Sequence, residues 1–210
     1  VNALPALSGG GITFGSSNRL AKRTPETFQL WAQVLSAVPH SRMILKTAEL
    51  EDEQTKAQLL ESFVQAGVAP ERISLLGRSS WGEHMLAFNQ VDISLDPYPH
   101  GGGVTTLEGI MMGVPVLSLR WPTIPGRISA AILTPLGLTD WIAESPEQYL
   151  DIAVQKSADL MALAVLRKQL RNTMNNSLVG DSRAYAGEVE KVYRQLWQAW
   201  CAGSTTEPNA

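Results

Sequence analysis

Three consecutive glycines, Gly101 to Gly103, stand just ahead of Val104, Thr105, Thr106 and a lone acid, Glu108. Glycine has no side chain to screen its backbone, so the N–H groups of such a run can close directly on a ligand. If Thr105 or Thr106 caps a helix running to about Met112, the free amides and the positive end of the helix dipole converge on one point. That arrangement suits a phosphate or diphosphate. Glu108, about one turn in, has the wrong charge for phosphate, but its carboxylate can accept hydrogen bonds from the two hydroxyls of a ribose beside it. The plain alternative is a glycine-rich turn between a strand and a helix, as any α/β protein contains.

Other residues gain chemistry only from their position. Lys22 follows the first expected strand, where its ammonium reaches a diphosphate at the strand ends or else stays solvated. His84, after Ser79 and Ser80, is placed to face a base or sugar, or else to pack at the surface. Arg127 comes just after a glycine at a helix start, a poor place for a cation given the dipole, and implies either a partner or a solvated side chain. His100 shapes the loop ahead of the glycines. No Ser/His/Asp set, Walker pattern or metal-ligand spacing is found, so no metal site is expected.

The elements that must position these residues alternate. Strands are expected at Ile12–Gly15, Ser41–Lys46, Ile73–Leu76, Val91–Leu95 and Val114–Leu119, where apolar residues run or alternate. Between them lie a helix opened by Thr24 and Pro25, with Phe28, Trp31, Leu35 and Val38 on one face, and a helix over about 52–66 that buries Leu59, Leu60 and Phe63. Helices near 83–89 and from 128 onward complete the set. This order implies an α/β fold, a Rossmann-like parallel sheet with helices on both faces, whose ligands bind at the carboxyl ends of the strands. Loops 15–24, 77–82, 97–105 and 120–127 then share that edge. Residues 1–11 read as a linker, 12–203 as the lobe with C-terminal helices from about 146, and 204–210 as a disordered tail. In the last helix Tyr185, Val189, Val192, Leu196 and Trp200 recur at helical spacing and are expected to pack into the core.

With 210 residues, 44% of them hydrophobic, the chain can bury a full core, and its net charge of −3 argues against a general nucleic-acid binder. No apolar run reaches the roughly 18 residues that span a membrane, and no signal-peptide pattern opens the chain, so no membrane partner and a cytoplasmic location are expected. The single Cys201 excludes an internal disulfide.

Taken together, Phe14 to Lys22 with Pro25, Trp31, Val38 to Ser41, Glu83-His84, Leu95-Asp96, Gly101 to Glu108, Gly113 to Val116, Arg127 and Leu136 to Leu138 resemble the C-terminal domain of the O-GlcNAc transferase family, including its SPINDLY-like and bacterial members. The resemblance runs from about residue 12 to 203. It implies the C-terminal lobe of a two-lobed (GT-B) glycosyltransferase, inverting and metal-independent, which uses a UDP-sugar and glycosylates Ser or Thr of proteins. It further implies that Lys22 stabilises the diphosphate leaving group, that His84 lies against the uracil, that Gly102, Gly103, Val104 and Thr105 hold the phosphates, and that Glu108 binds ribose. Arg19 stands where the family has a glutamine near the base, Trp81 replaces a lysine, and Gly103 replaces a histidine of the animal enzymes. Arg19 and Ser79 join the expected binding set, with Asn18, Trp81, Thr106 and Arg127 at its margin. The family's N-terminal catalytic lobe and tetratricopeptide repeats, which hold the acceptor protein, are not in this sequence. Other readings are a non-catalytic nucleotide-binding or protein-docking module and a UDP-sugar epimerase fragment.

Overall fold

A computed structural model describes residues 1–203. The expected tail, 204–210, lies outside the described residues. The strands are β1 (Thr13–Ser16), β2 (Arg42–Lys46), β3 (Ile73–Leu76), β4 (Ile93–Leu95), β5 (Val116–Leu119) and β6 (Ile142–Ala143). They form one sheet in the order β3-β2-β1-β4-β5-β6, and every pair is parallel. β1 and β4 are thus neighbours although the chain leaves β1 in one direction and returns to β4 on the other side. That reversal is the switch point at which parallel α/β sheets open a crevice.

The helices are α1 (Pro25–Ala37), α2 (Glu53–Gln65), α3 (Trp81–Ala87), α4 (Val104–Met111), α5 (Ile124–Leu133), α6 (Pro146–Ala158), α7 (Leu160–Asn175) and α8 (Ser182–Cys201). Their starts follow side-chain caps. Thr24 accepts from Thr27 N, Asp52 from Thr55 N and Thr123 from Gly126 N, while Ser80 and Glu83 form a reciprocal capping box. The core gathers Phe14, Met43, Leu45, Ile93 and Leu95 of the strands with Trp31, Leu35 and Phe63 of the helices. Four-residue strands that are buried throughout, such as β1 and β5, are what helices on both faces require.

Two expectations change. Residues 1–11 are not a linker but part of the packed body: Leu4 and Ala6 are buried, and the Ala6 N–H donates to Asp92 Oδ1 at 2.9 Å. The apolar spacing of the last helix does not lead into the core, since no residue of α8 is buried and Trp200 is 71% exposed. Periodicity reports an amphipathic face but not what covers it. No helix among the described residues is long and apolar enough to cross a membrane.

Candidate functional site

The site is built from the turns that leave β1 and β4 side by side. After β1 the chain makes a short turn, Leu20–Lys22, that brings the Lys22 ammonium over the glycine loop, where it donates to the Gly101 carbonyl at 2.9 Å. Burial lowers the Lys22 pKa, the charge of Asp96 partly restores it, and Arg19 lowers it further. Asn18 is buried and accepts from Thr105 Oγ1 at 3.1 Å, which ties the β1 loop to the first turn of α4.

α4 starts at Val104 with Gly103 as its N-cap, and no side chain caps it. The threonines expected to do so lie inside the helix instead. The first-turn amides of α4 therefore have no side-chain cap, as an anion site at a helix start requires. Thr106 turns away from this point, its hydroxyl 3.1 Å from Ser129 Oγ in the interior. The Gly102 N–H also points inward, to Asp96 Oδ1 at 2.7 Å, and the Gly101 N–H is taken by Pro125 O at 3.2 Å.

Glu108 lies one turn along α4 and meets His84 of α3, Nε2 to Oε2 at 3.1 Å, with both side chains mostly buried. The His84 ring stands edge-on to Phe88, centroids 5.6 Å apart. Beside His84, a cavity of about 260 Å³ is lined by Ser17, Arg19, Lys46, Thr47, Ser79 and their neighbours. Arg19, Ser79 and His84 thus share one hollow at the carboxyl ends of β1 to β3. Trp81 is 71% exposed at the start of α3, and Val104 is equally exposed at the start of α4. Arg127 does not join the group: it lines a separate cavity of about 850 Å³ with Arg120, Trp121 and Glu144. Two residues given no role from sequence sit at the centre. Lys46, the last residue of β2, donates to Gly77 O at 2.9 Å and lines the hollow; its place at a strand's carboxyl end was the available signal. Asp96, directly after β4, is buried under the loop, and burial pushes its carboxyl pKa up to about 6 against the hydrogen bonds of Ser129, Ser118 and Gly102.

The profile of glycosyl transferase family 41 matches residues 4–189. Proteins named "Probable UDP-N-acetylglucosamine--peptide N-acetylglucosaminyltransferase SPINDLY" from Solanum lycopersicum and Arabidopsis thaliana are each 36% identical over 200 residues, which is 95% of this chain and 22% of theirs. An O-GlcNAc transferase mutant from Thermobaculum terrenum superposes with a TM-score of 0.84 at 34% identity, over 93% of this chain and 38% of that one. Anabaena HepE, solved with UDP and glucose, shares the fold at a TM-score of 0.61 and 14% identity. The chain spans about a fifth of the length of the SPINDLY relatives.

Proposed function

This chain belongs to glycosyl transferase family 41, and from that premise we propose that it is the UDP-sugar-binding lobe, with UDP-GlcNAc as the sugar nucleotide, of a longer inverting enzyme that glycosylates Ser or Thr of proteins. The observation that carries the reading is the meeting, at the β1/β4 switch point, of Lys22, the uncapped start of α4 and the Glu108–His84 pair. A diphosphate at the start of α4 receives backbone N–H groups, the helix dipole and an ammonium. One turn further, Glu108 accepts from the ribose hydroxyls. The base then falls into the hollow beside His84, where Arg19 and Ser79 stand.

In transfer, Lys22 and the loop amides offset the charge that grows on the departing nucleoside diphosphate, and binding the nucleotide on three contacts orients the sugar's anomeric carbon. The acceptor and its positioning groups belong to the part of the enzyme outside this lobe. Family membership sets aside the epimerase alternative, and a purely regulatory nucleotide module is the rival that experiment must exclude. Metal is not part of the reading, because the ammonium and the amides together meet the diphosphate charge. Calorimetric titration with UDP in the presence of a chelator tests it: saturable one-to-one binding is expected, and binding that appears only on adding Mg²⁺ would refute the metal-free site.

A further inference from the structure

Resting on that reading, we propose that Asp96 is the positioning residue of the diphosphate site: it decides which way the Gly101–Gly102 peptide group faces and so where the Lys22 ammonium stands. The carbonyl of Gly101 and the N–H of Gly102 are the two ends of one trans peptide plane and point in opposite directions. Lys22 Nζ donates to that carbonyl at 2.9 Å, and that N–H donates to Asp96 Oδ1 at 2.7 Å. An ammonium and a carboxylate therefore hold opposite ends of a single peptide group. Turning the group over would aim its N–H at the ammonium and its carbonyl at the carboxylate, replacing two charge-assisted hydrogen bonds with two repulsions.

Glycine on both sides leaves such a turnover sterically open, so the choice falls to the groups above and below. Asp96 is placed to make it because it cannot move. Its Oδ2 accepts from Ser118 Oγ at 2.9 Å, its N–H donates to Leu117 O at 2.9 Å, and its own carbonyl accepts from the buried Tyr149 hydroxyl at 3.2 Å. The carboxylate also fills the space beneath the loop. A Cβ at Gly101 would come within 2.8 Å of Oδ2, and one at Gly102 within 2.8 Å of Oδ1. Two of the three glycines of this loop, Gly101 and Gly102, thus press on Asp96 on their inner side.

The test compares UDP with uridine, which has no phosphate, on the full 210-residue chain. Asp96→Ala, checked for folding by thermal unfolding, is expected to weaken UDP by on the order of tenfold, as loss of a charge-assisted contact does, while uridine affinity stays unchanged. Asp96→Asn keeps an oxygen for the Gly102 N–H and turns its amide to the Ser118 hydroxyl, so it is expected to restore UDP binding to within about threefold of the parent. A folded Asp96→Ala that binds UDP like the parent overturns the proposal. So does one that loses UDP and uridine in step, which marks a merely structural residue, or an Asp96→Asn as weak as the alanine variant. If Asp96→Ala does not fold, Ser118→Ala decides: a selective loss of UDP by about twofold or more is expected, and no change overturns the proposal. A parent chain that binds no UDP would instead refute the nucleotide reading itself.

Discussion

On the proposed reading Lys22 and Glu108 hold different parts of one ligand, and their roles separate by ligand. Lys22→Ala removes a charge-assisted contact to phosphate worth on the order of 1.5–3 kcal/mol, so UDP is expected to weaken by about tenfold or more, and UMP by less. Glu108→Ala removes the ribose acceptor and the partner of His84 together, so UDP and UMP are expected to weaken by similar factors while pyrophosphate binding is untouched. Parallel titrations with the three ligands check both; a Glu108→Ala variant that binds UDP and UMP as the parent does leaves that carboxylate a helix-surface acid. Asp96 adds a pH signature. Burial lifts its carboxyl from the ordinary aspartate value to about 6 in the fold, so the folded state holds the proton more tightly than the unfolded one. The stability this adds is present below about pH 4 and is lost as pH rises through about 6, a change on the order of 2–3 kcal/mol. Denaturant unfolding of the parent against Asp96→Asn from about pH 4 to 7 is expected to show the variant gaining on the parent across that window.

Among the elements, α8 carries the sharpest expectation. With no buried residue in it, a chain ending at Gly180 is expected to keep its Tm to within about 2–4 °C, the shift that about 1 kcal/mol makes at this size. Thermal unfolding of the shortened chain measures this, and a larger drop would mean that α8 braces the lobe. The same helix marks where sequence stops being informative. Alternation of strands and helices, the glycine ends and the cap at Thr24 are local patterns, and they yield the Rossmann-like lobe and the place of the glycine loop after β4 directly. The face of α8 is equally legible, but burial depends on a partner surface that no local pattern encodes. The start of α4 went astray for a related reason: Thr105 looks like a cap by type, yet its hydroxyl is drawn to Asn18, 87 positions away in sequence. Arg127, placed with the ligand loops by topology, lines a different cavity because α5 begins a turn earlier than expected, at Ile124 under the Thr123 cap. Lys46 and Asp96 were visible as residue types at strand ends, but only the folded sheet shows that Lys46 lines the hollow and that the Asp96 carboxylate lies beneath the glycine loop.

At the scale of the whole molecule, the lobe spans about a fifth of the length of its SPINDLY relatives, and in the proposed function it supplies the donor half of the transfer. The way its own sheet is joined bears on how it would meet the proposed nucleotide. β1 pairs with β2 at four positions, Thr13 to Ser16, but with β4 at only two, Phe14 with Ile93 and Gly15 with Ser94. Gly15 has no side chain there because a Cβ would strike Val91 at 2.6 Å. The central seam is therefore short and close, and on the proposed reading the nucleotide lies across it, held by the β1 side through Lys22 and by the β4 side through α4. On that reading the ligand acts as a rivet across this two-position joint. Its signature is in amide hydrogen exchange: the Asp92 N–H, which crosses the seam to Thr13 O at 2.8 Å, is expected to slow on UDP binding more than the amides between β2 and β3, which the nucleotide does not bridge.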